Sequence, residues 1–414
     1  MAHSIPESAA LAIRTPLGLV LHTGDWKIDA DPVAGWKTDE ERLRALGDEG
    51  VLALICDSTN ILRDGESPSE AQVGVELTKL IEAAPYRVVV TTFASNVARM
   101  RTVGLAAAKC GRKVVLVGRA MEKVATVARQ NGYLEGVPGF LSMDAFPNIP
   151  RDQVVVLATG SQSEPRAAMA RVAEDEHPTV RLAAGDQVVF SSRPIPGNER
   201  GINAIQNSLT HMGIKVITDR DGLVHVSGHP RRAEVKRLYD WVRPKIAIPA
   251  HGEAMHLHAH ADFARTQGVE KALVAVNGDA VLLAPGPAAI VEQVAHGRWL
   301  VDGNVLVKPE DEALQARRKL AFAGVISVGI AITTKGELAG DPDVMIAGVP
   351  GRMRDGRKLD ELVDKVIFET LDNLPKARRR DADDVSSAVE RAVRNTIRGA
   401  WGKRPEVHVL VMQI

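Results

Sequence analysis

The chain has 414 residues, enough for two or three domains each with its own core. Its 52 basic residues balance 52 acidic ones, so no global positive field announces a polyanionic partner, and a nucleic acid would have to be held by a local patch. The two cysteines argue against a disulfide framework and fit a reducing cytoplasm, and an aromatic share of 4% argues against base-stacking platforms.

In chain order, the first stretch, MAHSIPESAALAIRTP, lacks the basic start and apolar core of a secretion signal. Residues 11–13 and 17–21 pattern as a hairpin around Thr15-Pro16-Leu17-Gly18, whose second strand runs into His22-Thr23-Gly24-Asp25. A buried strand at 51–55 delivers Cys56-Asp57-Ser58-Thr59-Asn60, so both strands end on an aspartate in a polar loop. From Ser67 onward strands and helices alternate, with helices expected at 71–83, 96–109, 121–130, 164–172 and 200–212 and strands at 87–92, 113–117, 154–158, 187–190 and 214–218. That rhythm implies a parallel sheet with helices on its faces. Further on, 253–266 reads as a helix, 273–276 and 280–283 as short strands, and Ala284-Pro285-Gly286-Pro287 as a breaker. The charged stretch 308–319 reads as a linker. The weakly polar run 321–334 is too short to span a bilayer. The remainder reads as a small α+β unit, with strands near 324–332 and 407–412 and helices near 359–371 and 383–400.

The stretch from Asp221 to Glu253, DGLVHVSGHPRRAEVKRLYDWVRPKIAIPAHGE, organises the rest. His229 follows the apolar run of Val224 and Val226, and His251 follows Ile246, Ala247 and Ile248. Between them, 231–242 has the spacing of an amphipathic helix, so the local plan is strand, loop, helix, strand, loop. In an open α/β sheet such loops lie at the carboxyl ends of strands, where ligands bind. Two loop histidines beside turn glycines is the plainer reading. Taken together, His3, Asp25, Asp57, His229 and His251 have the composition of a hydrolytic Zn²⁺ or Mn²⁺ site. His256, His258 and His260 mimic a metal motif, but helical spacing separates His258 from the other two, and the three read as ordinary helix surface. His22 reads as a packed histidine, and Lys376 with Arg378, Arg379 and Arg380 as a solvated helix flank. Arg231 and Arg232, beside His229, are better placed to hold phosphates.

Eight motifs stand in order: AHSIPES, HTGDWKID, CDSTN, TTFASNVAR, TGSQSEP, SSRPIPGNE, HVSGHPRR and PAHGE. As a series they resemble the ribonuclease J family, metallo-β-lactamase-fold nucleases with an inserted β-CASP domain, and the resemblance covers the whole chain. It implies an α/β architecture: a partial metallo-β-lactamase αββα fold at 1–66 that resumes at 225–307, a β-CASP parallel-sheet domain at 67–224, and a linker with a small α+β C-terminal domain at 308–414. It also implies a pair of Zn²⁺ ions, with Mn²⁺ or Mg²⁺ as alternatives, His3 on one metal, Asp25 bridging and His251 on the second. Asp57 would orient neighbouring ligands, and His229 would steady the leaving oxygen or donate a proton to it. Phe93, Ala94 and Ser95, together with His225, Val226, Ser227, Gly228 and His229, match the loops that grip an RNA 5′ monophosphate.

What the resemblance implies is a cytoplasmic 5′-to-3′ exonuclease of RNA processing and decay, with endonuclease activity as a second mode. It would act as a homodimer through the C-terminal domain, away from any membrane. Members also carry a HxHxDH motif upstream of AHSIPES, whereas here His3 lies two residues after Met1. A start placed too far downstream, or a fragment, is therefore expected, with weak metal retention and little nuclease activity. The alternative function is a catalytically silent RNA-binding scaffold.

Overall fold

Short apolar runs broken by turn residues build the first strands. In the computed structural model, which describes residues 1–164 and 167–414, β1 (Leu11–Thr15) pairs antiparallel with β2 (Gly18–His22). Helix α1 (Glu40–Glu49), whose first turn is capped by the Asp39 side chain accepting the Arg42 N–H, leads into β3 (Val51–Asp57). The alternating segment follows: α2 (Glu70–Ala83), β4 (Val88–Thr91), α3 (Val97–Lys109), β5 (Lys113–Val117), α4 (Arg119–Gln130), β6 (Val154–Ala158), α5 (Ala168–Ala173), β7 (Gln187–Phe190), α6 (Glu199–His211) and β8 (Lys215–Ile217). Of the helix expected at 164–172 and the TGSQSEP motif, Pro165 and Arg166 lie outside the described residues, and the observed helix starts at Ala168.

Among the described residues these strands pair in the order β5-β6-β4-β7-β8, all parallel. Alternate residues point to opposite faces. Val88, Val90, Val155 and Leu157 pack against Leu77, Ile81, Met100 and Met121, whereas Val89, Val154, Val156 and Phe190 pack against Met169, Ile202 and Leu209.

The chain then returns to its first strands through α7 (Arg232–Val242), β9 (Ile246–Ala250), α8 (Ala254–Thr266) and β10 (Lys271–Ala272), completing a second sheet of order β1-β2-β3-β9-β10. Residues Leu43, Leu46, Leu238, Val242 and Ala261 of α1, α7 and α8 cover one face of it. The other face carries Ala53, Ile246 and Ile248 with the partly buried Val20, Leu52 and Ile55. A hairpin of β11 (Asp279–Leu282) and β12 (Ala289–Gln293) follows.

The first compact unit spans Met1–Ala295 and the second His296–Ile414. The second contains a hairpin of β13 (Leu300–Asp302) and β14 (Val305–Val307), then α9 (Glu312–Ala323), β15 (Val325–Ile332), β16 (Asp343–Ala347), α10 (Leu359–Asn373), α11 (Lys376–Arg379), α12 (Ala382–Trp401) and β17 (Glu406–Gln413). Its sheet has the order β16-β15-β17, and Ile326, Val328, Ile330 and Ile332 pack on the apolar stripes of α10 and α12. No helix among the described residues is long and apolar enough to cross a membrane.

The structure departs from the sequence reading at several points. The run before His229 is irregular rather than a strand, because the Val224 carbonyl accepts from Arg99 Nη1 at 2.9 Å and Ser191 Oγ at 2.7 Å instead of from a ladder. The charged stretch read as a linker contains α9, which starts where Asp311 accepts the Ala313 N–H; Ala323 is its buried residue, so an apolar period is faint. Residues 273–276 are likewise irregular, although the Leu273 N–H donates to Ala247 O at 3.0 Å.

Candidate active site

Three parallel strands bring the site together. β2, β3 and β9 lie side by side and end at the same edge, where the Thr23 N–H donates to Ile55 O at 3.0 Å and the Ser58 N–H to Ala250 O at 2.7 Å. The loops bearing Asp25, Asp57 and His251 therefore leave the sheet together. His251 itself has φ 55, a left-handed backbone that a non-glycine residue adopts only when its surroundings impose it.

Asp25 stands at the centre. Its Oδ1 lies 2.8 Å from His251 Nδ1 and its Oδ2 3.8 Å from His3 Nε2. His3 is oriented through its other nitrogen: Nδ1, 2.8 Å from Gly228 O, donates to that carbonyl and leaves Nε2 towards Asp25. A Cβ at Gly228 would stand 2.5 Å from His3 Cε1, so this approach requires glycine. Burial lowers the His3 pKa, outweighing the Gly228 hydrogen bond and the nearby carboxylates, and keeps the ring in the neutral form that can bind a metal.

Beside this trio sits a carboxylate–imidazole pair. His229 Nδ1 lies 2.6 Å from Asp57 Oδ2, while Asp57 Oδ1 accepts from Thr59 N at 2.8 Å and Thr59 Oγ1 at 2.7 Å. Burial opposes the charge on Asp57, but the bonds from His229 and Thr59 outweigh it and hold the carboxyl below its usual range. In the same way burial works against charged His229, and the Asp57 partner prevails and raises its pKa. With Nδ1 committed to Asp57, Nε2 is the nitrogen left for chemistry. Asp25, Asp57 and His229 bring ligand-type atoms within 4.8 Å of one another, and the His3 and His229 rings meet edge to face at 5.3 Å.

The donor set fits a divalent metal: two imidazole nitrogens face one carboxylate, and one of those rings has its second nitrogen fixed by a backbone carbonyl, as ligating histidines usually do. His22, read as a packed histidine, is half-buried at the margin of this cluster; its Nδ1 accepts the Gly24 N–H at 3.0 Å and its ring lies 6.2 Å from that of His251.

The phosphate-type loops are placed less uniformly. His225, Val226 and Ser227 line a cavity of about 260 Å³ together with Asn60, Arg193 and Arg231. Arg193 pairs with Asp219 at 3.2 Å. Burial, then the charges of Arg99 and Arg193, pushes His225 down to about 3, so it is a neutral group there. Arg232 is turned away to Ile61 O and Asp64. Phe93, Ala94 and Ser95 follow β4, with Ser95 exposed and Ala94 against the apolar cluster that holds Val224 and Val226. Among the described residues no hydrogen bond joins 93–95 to 225–229.

Sequence reasoning passed over the residues that hold these loops in place. Asn60 Nδ2 donates to Ser227 Oγ at 2.9 Å and to His229 O at 3.0 Å, and its only signal was its place at the end of CDSTN. Glu234 is a buried carboxylate at the third position of α7; the residue capping that helix is Arg231, not the serine or threonine that would have flagged a capping box. His260, read as helix surface, is fully buried, with Nδ1 2.8 Å from Ser58 Oγ and Nε2 3.1 Å from Tyr239 OH.

Residues 85–209 match the family description "Ribonuclease J, beta-CASP domain", 213–274 match "Zn-dependent metallo-hydrolase RNA specificity domain", and 312–414 match "Ribonuclease J C-terminal domain". Ribonuclease J of Sinorhizobium meliloti is 49% identical over 412 residues, covering 100% of this chain and 73% of the relative. Ribonuclease J of Mycolicibacterium smegmatis is 38% identical over 100% of this chain and 74% of its own length, and that of Thermus thermophilus 34% identical over 100% and 71%. Strands β4 to β7 thus fall within the β-CASP domain of a metallo-β-lactamase-type fold, and the chain belongs to the ribonuclease J family of metal-dependent ribonucleases.

Proposed function

We propose that the protein is a 5′-to-3′ exoribonuclease of the cytoplasm that recognises a 5′ monophosphate, with endonucleolytic cleavage as a second mode. The supporting observation is the meeting of His3, Asp25 and His251 beside the Asp57–His229 pair, next to a cavity lined by Asn60, Ser227, Arg193 and Arg231. His3, Asp25 and His251 would hold Zn²⁺, with Mn²⁺ or Mg²⁺ as alternatives; a metal there supplies a water of lowered pKa and a counter-charge for a phosphoryl oxygen.

The remaining work falls to the chain's own groups. Asp57 fixes the ring of His229 and favours its protonated form, so that Nε2 carries a proton for the leaving oxygen. Ser227 and the Arg231 guanidinium offer hydrogen bonds and positive charge to a terminal phosphate, while Phe93, Ala94 and Ser95 are not among the residues that line this cavity. In the second unit, Met345, Leu410 and Met412 are exposed on the sheet of β15 to β17 and support a homodimer through this domain.

The test is digestion of matched RNAs carrying a 5′ monophosphate or a 5′ hydroxyl. The monophosphate form should be degraded at least about ten-fold faster and release mononucleotides from its 5′ end, the discrimination expected from charged hydrogen bonds to one phosphate. Equal rates would remove the 5′-phosphate reading, and no digestion of either RNA would favour the alternative, a catalytically silent RNA-binding scaffold.

A further inference from the structure

The two oxygens of Glu234 accept three backbone N–H groups, two from distant stretches and one from the start of its own helix: Oε1 from Ile28 at 2.8 Å, Oε2 from Ser67 at 2.8 Å and from Arg231 at 2.9 Å. Ile28 lies just beyond Asp25, Arg231 just beyond His229, and Ser67 where the chain leaves for the β-CASP sheet. A carboxylate has acceptor positions for all three donors, and a buried N–H left without one is costly.

We infer that Glu234 is a positioning residue of the active site, holding the Asp25 loop and the His229 loop in fixed relation through one carboxylate. The inference rests on the roles proposed above for Asp25 and His229. Neighbouring contacts reinforce it. Asp29 Oδ2 accepts the Glu70 N–H at 3.1 Å and lies 2.8 Å from Lys27 Nζ, so the stretch after Asp25 is tied to α2 as well as to α7. On the other side Asn60 bridges Ser227 and the His229 carbonyl. Asp25 is left with little freedom relative to His229, which is what a reaction sensitive to small misplacements requires.

A competing role is that of helix cap alone, since Glu234 also caps the N–H of Arg231 at the start of α7. Glutamine separates the two. At the third position of a helix, Glu and Gln serve equally as the reciprocal cap. An amide, however, has one acceptor oxygen and one donor –NH₂. In Glu234→Gln the oxygen serves Ser67 and Arg231, and the –NH₂ is set against the Ile28 N–H, displacing the Asp25 loop.

Hydrogen exchange and RNA kinetics on the full chain decide the matter. In Glu234→Gln the Ile28 amide should exchange at least about ten-fold faster while the Arg231 amide stays within about three-fold of wild type. Turnover of 5′-phosphorylated RNA should fall at least about ten-fold with KM within about two-fold, the signature of lost geometry rather than lost binding. Wild-type turnover in Glu234→Gln, or an unchanged Ile28 amide, overturns the inference.

A variant-free measurement covers failure to fold: in the wild-type chain the Ile28, Ser67 and Arg231 amides should be protected to within about three-fold of one another, and Ile28 exchanging about a hundred-fold faster than Arg231 overturns the junction. Absence of turnover in the wild-type chain would count against the proposed function, whereas the exchange pattern judges the junction on its own.

Discussion

The two five-stranded sheets of the first unit make a useful contrast. In the β-CASP sheet, strands β4, β6 and β7 are buried along their whole length under helices on both faces, and the charged groups nearby are paired internally: Arg99 with Glu70 at 3.0 Å, and Asp186 with Arg87 and Arg151. In the other sheet β1 is exposed throughout, with Leu11 62% and Ile13 48% accessible, yet the loops bearing Asp25, Asp57 and His251 all spring from it. Burial on both faces demands that every charge find a permanent partner. At the strand ends of the more open sheet Asp25 and His251 stay reachable, beside an Asp57 that is buried and paired with His229.

The sharpest way to break this contrast is at the site. Asp57→Asn should lower RNA turnover about 10²- to 10⁴-fold without unfolding the protein, because His229 loses the acceptor that fixes its ring and favours its proton. Single-turnover digestion alongside thermal melting would show it, and a loss smaller than about three-fold would exclude the pair from the chemistry.

A cavity in the closed sheet should cost stability instead: Leu157→Ala in β6, fully buried, should lose about 2–5 kcal/mol in urea unfolding. Acid should act through the buried histidines. Burial depresses His260 to about 4 and His225 to about 3, so between pH 6.5 and those values the unfolded chain binds protons that the folded one refuses. Stability should therefore decline as pH falls through that window, by up to about 1.4 kcal/mol per pH unit for each group, and the slope should flatten in His260→Gln. The smallest effect belongs to the open face, where Val20→Ala, at a half-buried position, should cost less than about 1 kcal/mol. A cost equal to that of Leu157→Ala would erase the distinction between the sheets.

The same contrast explains what could be read in advance. Every strand of the β-CASP sheet was legible, because Val88 to Thr91 or Val154 to Ala158 form unbroken apolar runs between turn residues, and the helices between them carry clear stripes. The strands β13, β14 and β16 were not, since they are short and half-exposed and therefore lack an apolar signature.

At the site, His3, Asp25, Asp57, His229 and His251 could be named from motif wording, and the structure gathers all five. The grip on those residues could not be read. His3 is aimed by a backbone carbonyl, His229 by Asp57 from 172 positions away, and Glu234 by amides of the two distant residues Ile28 and Ser67. Such contacts leave no periodicity, because they depend on where unrelated loops finish rather than on how any one of them is composed.

Ser67 and Arg231 reach the same oxygen of Glu234, so the long excursion between them departs and comes home through a single doorway. A detour whose two ends share a threshold can be exchanged for a larger or smaller one while the rooms outside keep their plan. The doorway thereby keeps the loops bearing Asp25 and His229 in place whatever the β-CASP body beyond it does.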